Sequence, residues 1–247
     1  MEREKWIDMG KGIAILSVIF GHLSSLDSKN SIYLLVYAFH MPIFWIISGM
    51  LLSGKDYNNV SMLETIKKKA KSIMYPYVIF SLIIVAYNYI GLNLNLVSKS
   101  QFKLVVKNSV YFRGMNCLWF LPVLFVAEIV FIYLIKHRQN IVLWGISFAV
   151  IATLIAVFLS KTDLFKENPM KMYKKYCLIL PKVCFALSFI SLGYTIKEYF
   201  KIIKKYWLLF ALVGVSVSYY IIKVYHKKTD INYCVIHSPK VFWVCAI

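Results

Sequence analysis

The chain has 247 residues, of which 60% are hydrophobic, with a mean hydropathy of +0.66 and a formal net charge of +18. A water-facing domain carries roughly 45–50% apolar residues, so this composition excludes an ordinary soluble protein. The charge does not describe a nucleic-acid binder either: the lysines fall in short clusters between apolar runs, such as Lys67-Lys68-Lys69 and Lys204-Lys205, as loop charges that set topology and meet anionic headgroups do.

About 20 apolar residues cross a bilayer, and the runs here are too long and too uniformly apolar for barrel strands. They predict an all-α, polytopic transmembrane helical bundle of about seven to eight spans, a single domain over 1–247. In chain order the runs cover about 12–26, 31–53, 73–92, 117–135, 141–160, 178–196 and 206–224, and an apolar tail lies after Asp230. The first run is short, contains His22 and lacks a small-residue cleavage site, so it reads as a span and not as a cleaved signal. The second contains His40, Pro42 and the pair Ser48-Gly49, which predicts a close helix approach. Residues 53–72 form a loop ending in a basic amphipathic stretch suited to the inner membrane surface. Arg3, Lys5 and Lys11 precede span one, only Lys29 separates spans one and two, and Lys55, Lys67, Lys68, Lys69 and Lys71 come after span two. By the positive-inside rule the N-terminus is cytoplasmic; the Lys-rich segment 161–182 would then face outward against the rule.

Chemistry concentrates in residues 6–54. Lys11 and His22 are eleven residues apart, close to three helical turns, so they share a face but lie roughly 16 Å apart along the axis. Asp8 is one turn before Lys11 and can pair with it. A histidine inside a span is costly and is a functional candidate; its structural alternative is a hydrogen bond to a neighbouring helix. His40, counted back from the turn near Leu26–Ser31, lies about one helical turn deeper than His22, so two imidazoles can face one cavity. An imidazole is the usual general base for a hydroxyl and can also carry an acyl group. Glu128 sits in the middle of the fourth run, where it either orients an imidazole or a substrate hydroxyl or hydrogen-bonds a structural partner such as Asn88. Trp119 is a belt aromatic or a sugar platform. Cys117, Cys177, Cys184, Cys234 and Cys245 include no C-x-x-C pair, so no metal site is expected. His137 reads as a loop residue, and His226 and His237 fit no motif.

The run Trp6-Ile7-Asp8-Met9-Gly10-Lys11-Gly12-Ile13-Ala14-Ile15, then Gly21-His22, Phe39-His40-Met41-Pro42-Ile43-Phe44 and Ile47-Ser48-Gly49, resembles the acyltransferase 3 family of membrane O-acyltransferases, in particular its fucose 4-O-acetylase-like branch. Lys11 and His22 match the family's Arg/Lys-x10-His motif, whose histidine is the proposed catalytic residue. Lys68-Lys69-Ala70-Lys71 occupies the place of an Arg-x-x-Arg motif linked to the acyl-CoA donor, with lysine standing for arginine twice. Leu118-Trp119-Phe120-Leu121-Pro122-Val123-Leu124-Phe125 and Ser191-Leu192-Gly193-Tyr194 resemble later family signatures. Family members run to roughly ten spans, so the resemblance implies a chain shortened at the C-terminus.

The resemblance implies transfer of an acyl group, most simply acetyl, from cytoplasmic acyl-CoA to a hydroxyl of a surface glycan or its precursor. His22, His40 and Lys11 would form the catalytic set, with Asp8, Lys68, Lys71, Trp119 and Glu128 binding donor or substrate. It implies no cofactor beyond the acyl-CoA co-substrate, a carbohydrate acceptor and the lipid bilayer as partners, no nucleic acid, and a multi-pass location in a bacterial cytoplasmic membrane. Two alternatives stand beside it: a proton-coupled small-molecule transporter using the intramembrane His22, His40 and Glu128, and an inactive truncated relative.

Overall fold

The computed structural model describes residues 5–23, 31–113, 116–161, 179–198, 216, 229–230 and 235–236, and within these the side chains of His22, of residues 31–35, 37 and 38, and of several residues at other element ends lie outside the description. The predicted seventh span, the Lys-rich segment at 162–178, His226, His237 and the apolar tail fall outside the described residues, apart from Ser216 and two dipeptides. Those dipeptides, β1 (Thr229–Asp230) and β2 (Val235–Ile236), form one antiparallel pair; every other described element is helical.

The helices are α1 (Lys5–Leu23), α2 (Ser31–Ser53), α3 (Met62–Lys69), a π-helical turn Ala70–Met74, α4 (Tyr75–Asn93), α5 (Lys99–Val110), a 3₁₀ turn Asn116–Trp119, α6 (Phe120–Lys136), α7 (Ile141–Lys161) and α8 (Ile179–Glu198). Among the described residues three stretches are long and apolar enough to span a membrane: Met62–Asn93, Ile141–Phe158 and Ile179–Lys197. Phe39–Ser53 is a shorter apolar helix. The chain divides into two compact units, Met1–Asp56 with His137–Ile247, and Tyr57–Lys136.

In the first unit α8 is the central helix, packed by α2 on one side and α7 on another, and every residue from Pro181 to Ser191 is buried. The α2/α8 crossing is set by a reciprocal pair of glycines. A Cβ at Gly49 would lie 2.0 Å from the Ile190 carbonyl oxygen, and one at Gly193 would lie 2.0 Å from that of Ile46. Only hydrogen on both Cα atoms allows the backbones this close. Trp45 stacks on Phe189 beside the crossing, centroids 6.0 Å apart. Against α7 the fit is similar: Gly145 leaves room for Ser191, whose hydroxyl donates to the Ile141 carbonyl at 2.7 Å. The small residues of α7, Gly145, Ala152 and Ala156, are buried, while Leu143, Ile146, Leu154 and Phe158 point outward. Small residues inward and large apolar ones outward is the pattern of a helix solvated by lipid. In water the same surface would be an aggregation hazard.

The second unit is a hairpin of unequal arms. Its first arm is the 32-residue helix Met62–Asn93, about 48 Å long at 1.5 Å per residue. The return arm is α5 and then α6. Tyr89 meets Phe102, and the Tyr77 hydroxyl donates to the Ser109 carbonyl at 2.8 Å, so α5 runs antiparallel along α4. Lys136 Nζ donates to the Val60 carbonyl at 2.5 Å, bringing the end of α6 to the start of α3.

Hydropathy predicts no helix between the third and fourth runs, where the structure has α5. Its N-terminus is a capping box: Ser98 Oγ accepts from the Gln101 amide at 3.2 Å, and the Gln101 side chain accepts from the Ser98 amide at 3.0 Å. The fourth run also begins differently, because Asn116–Trp119 forms a 3₁₀ turn and the α-helix starts at Phe120.

Candidate functional site

On α1 the Asp8 and Lys11 side chains approach to 3.8 Å, both about 40% exposed. An exposed pair one turn apart contributes little stability and serves mainly to hold Lys11 at the helix flank. The buried positions of α1 are Ile7, Ala14 and Gly21, a seven-residue repeat that faces α2. Position 22 lies three turns beyond position 11, roughly 16 Å along the axis. The His22 side chain lies outside the described residues, but its backbone is within α1.

Gly10 fixes the level of α1 against α2, since a Cβ there would lie 3.2 Å from Ile47 Cδ1. The two helices pack as a hairpin. His22 is then about 18 Å beyond that level and His40 about 10 Å, a difference between backbone positions of about 8 Å, or one and a half turns.

His40 is buried, and its Nδ1 lies 2.8 Å from the Val36 carbonyl oxygen one turn back. A carbonyl only accepts, so Nδ1 carries the proton, and in the neutral ring Nε2 carries the lone pair. Pro42, two residues on, has no N–H for the Ala38 carbonyl and loosens the same turn. At the other end of the unit Lys197 Nζ stands 5.8 Å from the Trp6 ring centroid, joining α8 to the start of α1 by a cation–π contact.

In the second unit the cluster around Lys68 resolves into two faces. Lys67, Lys68 and Lys71 are exposed. Lys69 turns inward, and its Nζ lies 2.6 Å from Glu128 Oε2, the two side chains 16% and 7% exposed. Asn88, a structural partner considered for Glu128, instead donates to the Ile84 carbonyl in its own helix. The pair also sets the two segments level. Glu128 is the ninth of the seventeen residues of α6, and Lys69 is level with it, so the basic segment runs beside the middle of an apolar helix.

Tyr57 completes this cluster. It is 8% exposed, and its hydroxyl has no hydrogen-bond partner among the described residues. Burial, with the Glu128 carboxylate as the second cause, pushes the phenol up to about 12. Trp119 is buried in the 3₁₀ turn with Phe120 edge-on at 6.3 Å, so its ring packs within the unit. Among the described residues no group of three or more His, Cys, Asp or Glu side chains has the arrangement of a metal site.

A family model described as an acyltransferase domain matches residues 4–247. The chain belongs to the acyltransferase 3 family. No curated protein and no solved structure matches it. The protein is thus a membrane acyltransferase whose family match takes in both compact units. The sequence of this acyltransferase 3 member singles out Lys68 and Lys71 but not Lys69 or Tyr57. A run of lysines does not say which one turns inward, and Tyr57 sits in a loop with no motif around it.

Proposed function

We propose that this acyltransferase moves an acyl group, most simply acetyl, from cytoplasmic acyl-CoA to a hydroxyl of a surface glycan or its precursor, as in the fucose 4-O-acetylase-like branch. It would do so as a bundle of seven to eight spans with its N-terminus in the cytoplasm of a bacterial cell. The observation that carries the reading is the split basic segment, in a chain of this family. Lys69 is neutralised by a buried carboxylate, while Lys68 and Lys71 remain exposed, as a phosphorylated donor requires. An ammonium binds phosphate as a point charge, and two flexible lysines can track the diphosphate of the donor.

In this reading His22 removes the proton from the acceptor hydroxyl. The oxygen attacks the thioester carbonyl, the carbon–sulfur bond breaks, and the imidazolium returns its proton to the departing thiolate, leaving an ester and free CoA. A short-lived acyl-imidazole at His22 gives the same balance in two steps. His40, protonated at Nδ1, has its acceptor atom at Nε2, a chemistry that would suit an acceptor O–H better than a thioester carbonyl. Lys11, oriented by Asp8, adds positive charge at the base of α1. No cofactor enters this scheme.

Thermal unfolding of the purified protein with increasing acetyl-CoA tests the donor assignment. A ligand at 100 times its Kd stabilises by about 2.7 kcal/mol. Wild type should be stabilised and Lys68→Ala/Lys71→Ala should not; equal responses would remove the lysines from the donor site.

A further inference from the structure

The Lys69–Glu128 pair, in which the carboxylate is buried and the ammonium mostly so, sits where the basic segment changes helical type. Lys69 is the last residue of α3, and the π-helical turn Ala70–Met74 begins directly after it. A π turn holds one more residue than an α turn, so it offsets the azimuth of the downstream helix relative to a continuous α-helix. Lys71 lies inside that turn and Lys68 just before it, so how these two ammonium groups are presented together depends on how the junction is held. Such junctions recur at functional sites and need tertiary contacts to persist.

The contacts come from α6. Glu128 is set in a packed face with Ala127, Phe131 and Ile132, all almost fully buried, which leaves its carboxylate little room to move. It grips Lys69 at 2.6 Å, and eight residues further on Lys136 grips the Val60 carbonyl. α3 is thus clasped at both ends by one rigid helix. The pair also removes Lys69 from the set of lysines that can meet an anion, since its charge is already matched in a largely buried setting where an unpaired charge is costly.

We infer that Glu128 is a positioning residue that acts through Lys69: the ion pair turns Lys69 inward at the π junction and so presents Lys68 and Lys71 to the phosphates of the donor. The inference rests on the donor reading above. It separates Glu128 from acid–base chemistry and Lys69 from phosphate binding, although Lys69 lies inside the basic cluster.

Two measurements on the purified protein test it. The first is independent of the donor: footprinting of lysines with a water-soluble amine-acylating reagent, read by mass spectrometry. Lys67, Lys68 and Lys71 should label quickly and Lys69 slowly in wild type, and Glu128→Gln should bring Lys69 up to the rate of its neighbours. Equal labelling of Lys69 and Lys68 in wild type overturns the inference whatever the donor is. The second compares acetyl-CoA kinetics in Glu128→Gln, Lys69→Glu and the exchanged pair Lys69→Glu/Glu128→Lys. Each single change should raise KM about tenfold with kcat nearly unchanged, and the exchange should recover most of the loss. Should the exchange fail to fold, Glu128→Asp, which keeps the charge on a shorter arm, should lie between wild type and Glu128→Gln. A fall in kcat that neither the exchange nor Glu128→Asp restores makes Glu128 a reacting group and overturns the inference. If wild type labels as expected but acetyl-CoA neither binds nor reacts, the donor reading fails and with it the positioning role, while the ion pair stands as structure alone.

Discussion

Replacing Gly49 by alanine forces α2 and α8 apart at their closest point. The new Cβ would be 2.0 Å from the Ile190 carbonyl oxygen and 2.9 Å from both the Ile190 carbonyl carbon and the Tyr194 amide nitrogen. Carbon contacts are comfortable near 3.5 Å, so the helices must part by about 1.5 Å. The obstruction is backbone, so no side-chain rotamer relieves it. Overpacking a tight core costs about 1–3 kcal/mol, and the upper end applies because the Trp45–Phe189 stack and the buried face of α8 separate as well. For a chain of this size about 3 kcal/mol lowers Tm by roughly 6–12 °C. Gly193→Ala should do the same, because its Cβ would strike Ile46 in the same way. The double variant should lose less than the sum, since one separation accommodates both methyl groups. Gly12→Ala is the control: nothing lies within 4 Å of its Cβ, so helix propensity alone should stabilise it by about 0.5–1 kcal/mol. The assay is tryptophan-monitored thermal unfolding in detergent at constant protein and detergent concentration. A Gly49→Ala protein melting with wild type, or strict additivity with Gly193→Ala, would refute the close crossing.

Two other outcomes depend on single side chains. Tyr57 has a folded-state pKa raised from 10.0 to about 12, so the folded protein holds a proton that the unfolded chain releases between those values. Its contribution is complete below pH 10 and falls as pH rises through 12, and solvent screening holds it to about 1–2 kcal/mol; the alkaline loss of stability should therefore be shallower in Tyr57→Phe than in wild type, as pH-dependent chemical denaturation would reveal. His40→Asn keeps a donor that can reach the Val36 carbonyl but loses the Nε2 lone pair, so Tm should stay within a few degrees while acyl transfer falls at least tenfold; unchanged turnover would reduce His40 to a helix-stabilising residue.

The membrane class is legible because apolar runs of spanning length have few other readings, and the Ser48-Gly49 pair announces a close approach that Gly49 makes against α8. Position around and along the helices is not legible in the same way. Periodicity treats Lys67, Lys68, Lys69 and Lys71 alike, whereas the π turn and the carboxylate at Glu128 make Lys69 unlike the rest. The same blindness separates Glu128 from the basic segment, because hydropathy sends one to mid-membrane and the other to the surface, and a single ion pair makes them level. Helix α5 is hidden for a different reason. Its lysines at 99, 103 and 107 lower its hydropathy below any span threshold, yet Ser98 and Gln101 spell a capping box that a propensity reading can use.

The most direct test of the account is the O-acetyl content of the surface glycan in cells expressing wild type or His22→Ala, with equal amounts of each protein verified in the membrane fraction. Cells expressing His22→Ala should fall to the level of cells lacking the protein. Acetylation undiminished in the variant would contradict it, because the His22 imidazole would then not be the group that takes the proton from the acceptor hydroxyl.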